Sequence, residues 1–203
     1  MSFWGLPDPS TGTLDDCPLA DLLAHEFGHW VALQESGIQP DGLYVYGIRH
    51  EPGSPVVTKG GGTPFATSFP VRWDFAVVHA AGAVGEELYR VGSAAFECST
   101  AVQQLLTDES CRHDLDELAE VLRRLKGREA TSGARFAAEI GQAVLGARNL
   151  LVPRLSNLRD EVDALVRSAD AGKLSILEVP WSAGVAARLS GRDRSWYEVD
   201  VES

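Results

Sequence analysis

Residues 19–36, LADLLAHEFGHWVALQES, decide the fold of this chain. Apolar residues recur along one flank of this stretch at helical spacing, which predicts an amphipathic helix. Asp15, Asp16 and Pro18 precede it in the order typical of an N-cap and a first helical turn. Gly37 follows it and can adopt the left-handed conformation that often ends a helix. We therefore expect a helix that begins near Pro18 and ends at Gly37.

The centre of this helix reads His25-Glu26-Phe27-Gly28-His29. Because residues four apart lie on one face of a helix, both imidazoles can bind the same tetrahedral zinc ion. Glu26 lies beside that face, where a carboxylate can act as general base toward a water whose pKa the metal lowers to about 7. The pattern predicts a zinc-dependent peptidase with two histidine ligands and a catalytic glutamate. The alternative is an amphipathic helix whose histidines are hydrogen-bonded within a core.

A third metal ligand has to come from elsewhere in the chain, since a catalytic zinc usually has three protein ligands and one open position. Positions 32 and 35 hold Ala and Glu, so the longer H-E-x-x-H-x-x-G-x-x-H pattern is absent. Residue type alone leaves six candidates open: His79, Glu86, Glu87, Asp108, His113 and Asp114. We expect His79 to be a core residue, because a lone histidine on an apolar helix face is more often hydrogen-bonded there than a ligand.

Composition narrows the class of protein and its partners. The chain has 203 residues, 44% hydrophobic and 23% charged, so we expect a single globular domain over residues 1–203. Its core is expected at about 15–127, with C-terminal helices and a tail at 128–203. The net charge of -11 disfavours nucleic acid and anionic membranes as partners. Three cysteines without a CxxC pair, no visible export signal and no membrane-length apolar run favour a soluble cytoplasmic protein.

The segments after the first helix predict a small β-element and further helices. Short β-prone runs at residues 43–48 and 56–58, separated by glycines and prolines, predict a hairpin or ribbon. Residues 73–88 show helical spacing, and the small residues among 80–85 would let another helix pack closely against this second helix. Helical patterns continue over three further stretches, 99–106, 115–125 and 134–166, the last interrupted by Pro153.

The order of these motifs resembles the peptidase domain of the FtsH family of ATP-dependent zinc proteases. HEFGH at 25–29 is followed by GGTPFATSFP at 61–70 and by DFAVVHAAGAVGEELYRVG at 74–92. SCRHDLDELAEVLRRL at 110–125 then corresponds to the segment in which an Asp opens a later helix in that family. The similarity covers residues 19–125, roughly half of the chain.

The resemblance implies a mainly α, zincin-like helical metallopeptidase domain with a small β-hairpin or ribbon, and zinc as its cofactor. By position, His25 and His29 match the zinc-binding histidines and Glu26 matches the catalytic glutamate. Asp114 in HDLDEL matches the family's third ligand, and Glu87 is the runner-up for that role. The implied substrate is a peptide or an unfolded protein.

The chain departs from the family in two places. The segment between Glu87 and Asp114 is longer than in the family, so the choice of Asp114 over Asp108 depends on the helix that follows. The chain has no G-x-x-x-x-G-K-[ST] loop, so it would act without its own ATPase on flexible segments. Residues 43–48 could form an edge strand that pairs with such a segment, or an ordinary hairpin strand. The competing hypothesis is a non-catalytic zinc-binding regulatory or interaction module with the same fold.

Overall fold

The computed structural model describes residues 18–40, 43–49, 57–63, 71–108, 111–170 and 177–180. These residues are mainly helical, which confirms the predicted fold class at that level. The helices are α1 Leu19–Glu35, α2 Trp73–Val91, α3 Cys98–Thr107, α4 Arg112–Lys126, α5 Gly133–Leu151 and α6 Leu155–Asp170. The strands are β1 Tyr44–Arg49, β2 Val57–Gly62 and β3 Leu177–Pro180. Within this described part, no helix is both long and apolar enough to cross a lipid bilayer.

Helix α1 begins close to the predicted position. Pro18 has an extended conformation and directly precedes the first helical residue, so it is the N-cap rather than part of the first turn. The predicted capping residues Asp15 and Asp16 lie outside the described residues, as does Cys17. At the other end, Gly37 has φ of +74°, the left-handed conformation expected of a glycine that ends a helix.

Helix α2 is the centre of the fold, as its apolar pattern predicts. It packs against α1, α3, α4 and α5, and its residues from Phe75 to Leu88 are buried apart from His79. Glycines let it approach α1 until the two backbones touch. An added Cβ at Gly28 would overlap the carbonyl group of Ala81, and one at Gly85 would lie 2.5 Å from the carbonyl oxygen of Ala24. The glycines of both helices therefore set the distance between α1 and α2.

The buried face of helix α4 includes one acidic side chain, that of Asp114. Leu118, Val121 and Leu122 are buried in the core shared with α2, and Asp114 lies one turn before Leu118 on the same face. Asp114 is in the first turn, where the helix dipole favours a carboxylate. The packing of α4 therefore directs Asp114 toward α1 and α2.

A three-stranded sheet covers the other side of α1. Its order is β2-β1-β3, with β1 antiparallel to β2 and parallel to β3. Since β1 is paired on both sides, the edge-strand alternative for residues 43–48 is wrong. The reason is that β3 comes from the C-terminal segment, whose sequence shows no strand periodicity. The rest of that segment, 171–176 and 181–203, lies outside the described residues.

Candidate metal centre

Three buried side chains from two helices converge at one point. His25 and His29 belong to α1 and Asp114 belongs to α4, and one donor atom from each lies within 4.8 Å of the others. His25 Nε2 is 2.9 Å from Asp114 Oδ2, and His29 Nε2 is 3.3 Å from Asp114 Oδ1. Ligands around a tetrahedral zinc ion lie about 3.3 Å from one another. The structure thus brings together the three residues expected as ligands, in an arrangement that could hold a metal ion.

Helix α2 contacts the two imidazoles of α1. His29 Nδ1 donates a hydrogen bond of 2.8 Å to the carbonyl oxygen of Val78, which directs His29 Nε2 toward Asp114. A Cβ added at Gly82 would lie 2.5 Å from His29 Nε2 and still closer to His25 Nε2. The missing side chain at Gly82 therefore leaves the space into which both donor nitrogens point. This cradle, together with the donor set, fits a small divalent cation.

Glu86 on α2 faces the other nitrogen of His25. Its Oε2 is 3.6 Å from His25 Nδ1 and accepts a hydrogen bond of 2.6 Å from Gln104 on α3. Arg90 pairs with Glu86 and donates two hydrogen bonds to Asp21 on α1. A buried carboxylate next to a ligand histidine is the usual way in which proteins fix the ring and its tautomer. Glu86 therefore lies beside the ring of His25, where it can help to orient that ring.

Other acidic and histidine candidates are placed differently. Glu87, the runner-up third ligand, is buried, but the converging group in the described residues consists of His25, His29 and Asp114. Asp108 and His113 are exposed. Their positions leave Asp114 as the acidic side chain that meets both histidines of α1.

Glu26 is buried beside the histidines and is held by a residue that sequence reasoning missed. Its Oε2 accepts a hydrogen bond of 2.9 Å from Thr63 Oγ1, at the end of β2. Burial raises the pKa of Glu26 above its ordinary value, although positive charge on His29 and His25 opposes that shift. A carboxylate whose pKa is raised toward neutrality suits general-base chemistry. The only sequence signal for Thr63 is its place in the Gly-rich segment, of which residues 64–70 lie outside the described residues.

Hydrogen bonds and charge couple the two histidines to Asp114. Burial alone would lower the pKa of His25, but hydrogen bonds with Asp114, Cys111 and Glu86 outweigh it and raise that pKa well above the ordinary value. The pKa of His29 is raised for the same reason, since Asp114 outweighs burial. Burial would raise the pKa of Asp114, yet the two histidines hold it well below its usual range. Contact with Asp114 therefore favours the protonated form of both histidines.

His79 lies closer to this centre than its sequence context predicts. Its side chain is 13% exposed, and its Nδ1 is 4.0 Å from Asp114 Oδ1. Burial lowers the pKa of His79 to about 4, so the imidazole is neutral at physiological pH. His79, Gly82 and Glu86 are spaced i, i+3 and i+7 along α2, which puts all three on the face that meets the metal centre. That spacing is a sequence signal that could have linked His79 to the site.

No protein-family model, curated protein or solved structure matches this chain. The chemistry of the centre therefore follows from its own residues. Two imidazole nitrogens and a carboxylate oxygen suit zinc, and three protein ligands leave a fourth position for water or substrate. The ligand side chains keep about a tenth of their surface accessible, 10% for each histidine and 11% for Asp114.

Proposed function

We propose that this chain is a zinc-dependent endopeptidase that hydrolyses peptide bonds without an ATPase of its own. We propose further that its fold is zincin-like and related to the peptidase domain of the FtsH family. The observation that carries the proposal is the convergence of His25, His29 and Asp114 on one point with Glu26 beside them. A purely structural zinc site usually has four protein ligands, whereas this group has three.

The roles of the residues follow from their contacts. His25, His29 and Asp114 would hold the zinc, and Glu86 would fix the ring of His25. The bound ion would supply Lewis acidity toward a water molecule and toward the peptide carbonyl. Glu26, oriented by Thr63, would accept the proton of the attacking water and pass it to the departing amine. The raised pKa of Glu26 lets it hold that proton for the second transfer.

The proposed substrate is a peptide or a flexible segment of a protein. Strand β2 has β1 on one side and, among the described strands, no partner on the other. It leads into Thr63, which hydrogen-bonds to Glu26, so this edge runs toward the metal centre. An extended chain could add to that edge through main-chain hydrogen bonds. A folded substrate would not offer such a segment.

The deciding experiment measures zinc content and cleavage in matched variants. We expect about one zinc per chain in the wild-type protein, and cleavage of an unfolded test protein. Glu26→Gln should retain zinc and lose about 10²–10⁴-fold in cleavage rate, the usual contribution of a general base. Asp114→Ala should lose zinc, whereas Glu87→Ala should keep it.

Two results would contradict parts of this proposal. Equal zinc content in wild type and Asp114→Ala would remove Asp114 as a ligand. Zinc-loaded wild-type protein that leaves every unfolded test protein intact would favour the non-catalytic zinc-binding module instead.

A further inference from the structure

His79 is a buried imidazole that the proposed chemistry does not use. It projects from α2 toward α4, with Nδ1 4.0 Å from Asp114 Oδ1. The side chain is only 13% exposed, so solvent exposure does not explain its place beside a carboxylate. Its contact with Asp114 therefore becomes relevant when a cation occupies the centre.

The contacts between Asp114 and the two histidines change when those histidines bind a metal. His25 Nε2 lies 2.9 Å from Asp114 Oδ2, and His29 Nε2 lies 3.3 Å from Oδ1. An imidazole nitrogen that binds a metal offers its lone pair and carries no proton. His25 and His29 therefore cannot donate to Asp114 while they act as ligands. A carboxylate oxygen that does not itself bind the metal would then lose the N–H groups of these two histidines as donors.

Among the described residues, the cationic or histidine side chains within 4.0 Å of Asp114 are His25, His29 and His79. With the first two acting as ligands, His79 is the one of these three side chains that can still donate. A neutral imidazole carries one N–H, and an approach of about 1 Å brings Nδ1 into hydrogen-bond distance of Oδ1.

We propose that His79 is a positioning residue whose Nδ1–H donates to the Asp114 oxygen that does not bind zinc. The hydrogen bond orients the carboxylate so that one oxygen faces the metal, and it replaces the donors that zinc binding removes. This inference rests on the proposed zinc site. It predicts that His79 matters to the zinc-bound protein and not to the metal-free one.

The test compares zinc affinity across four variants, measured by competition with a chromogenic chelator. His79→Leu removes the donor and should weaken zinc binding about 10–100-fold, the usual cost of losing a hydrogen-bond partner of a ligand. His79→Asn places its amide N–H near the position of Nδ1 and should restore most of the affinity. His79→Gln places it farther out and should not. His113→Asn, a change at an exposed histidine, should match wild type.

Melting temperatures of the metal-free proteins separate this role from a structural one. We expect His79→Asn and His79→Gln to melt at similar temperatures and to differ in zinc affinity. That comparison decides the matter even if His79→Leu does not fold. Wild-type affinity in His79→Leu, or equal affinities in the Asn and Gln variants, would overturn the inference and leave the zinc site intact. Failure of wild type to bind zinc would overturn the proposed function itself.

Discussion

Replacing Gly82 with alanine adds one methyl group where the two ligand nitrogens meet. The new Cβ would lie 2.5 Å from His29 Nε2 and closer still to His25 Nε2. Atoms of this kind normally stay about 3.5 Å apart, so the rings must withdraw by about 1 Å. Metal–ligand distances tolerate about 0.2 Å, and hence the displaced nitrogens can no longer bind together. We expect zinc affinity to fall by more than about 100-fold, beyond the usual cost of losing a supporting hydrogen bond.

The same change should leave the metal-free protein folded. Alanine in place of glycine stabilises a helix by about 1 kcal/mol. Overpacking costs about 1–3 kcal/mol, and here the clashing atoms are the ends of rotatable side chains. The net loss is therefore at most about 2 kcal/mol. For a chain of this size, such a loss lowers the melting temperature by about 4–8 °C.

Gly141→Ala is the matched control, because a Cβ at Gly141 of α5 meets no atom within 4 Å. That variant should gain about 1 kcal/mol of stability and bind zinc as wild type does. The assay combines chelator competition with thermal melts in EDTA, monitored by circular dichroism. Wild-type zinc affinity in a folded Gly82→Ala protein would show that the nitrogens of His25 and His29 do not converge above Gly82.

Three further predictions follow from neighbouring contacts. Gly28→Ala places a Cβ against the backbone carbonyl of Ala81, which cannot rotate away. We therefore expect the free energy of unfolding to fall by about 3 kcal/mol or more, and the melting temperature to fall by at least about 6 °C. An unchanged melting temperature would refute the close contact between the two helices. Thr63→Val removes a hydrogen bond that lowers the pKa of Glu26, so that pKa should rise. The acidic limb of the kcat/KM profile should then move to higher pH, and Thr63→Ser should keep it at the wild-type position. Zinc binding requires neutral imidazoles, so zinc affinity should weaken as the pH falls through the raised pKa of His25. Calorimetry in two buffers should detect the protons that zinc binding releases. A zinc affinity that does not depend on pH would count against histidine ligation.

Local patterns predicted the parts of the site that lie within one helix. The i, i+4 spacing of His25 and His29 is a property of α1 alone, and Glu26 is fixed by the same turn. The small residues of α2 likewise predicted a close helix contact, and Gly28 and Gly85 provide it. These features depend on helix geometry, which the chain encodes over a few residues.

The third ligand and the supporting residues could not be ranked in the same way. Asp114 was chosen by resemblance, because six acidic or histidine candidates were equal by residue type. Thr63 and Gly82 carried no chemical signal, and His79 was expected to be an ordinary core residue. Each lies at the metal centre only because its own helix or strand packs against α1.

The sequence by itself determined a helix with two histidines on one face, a glutamate beside them, and a second helix of small residues. Tertiary structure alone decided that α4 turns Asp114 inward, that Gly82 opens a cradle under the imidazoles, and that His79 stands beside the carboxylate. The physical reason is the distance along the chain over which each feature is set. Backbone hydrogen bonds between nearby residues set side-chain positions within one helix. Distances between helices depend on how all the packed side chains fill the space between them.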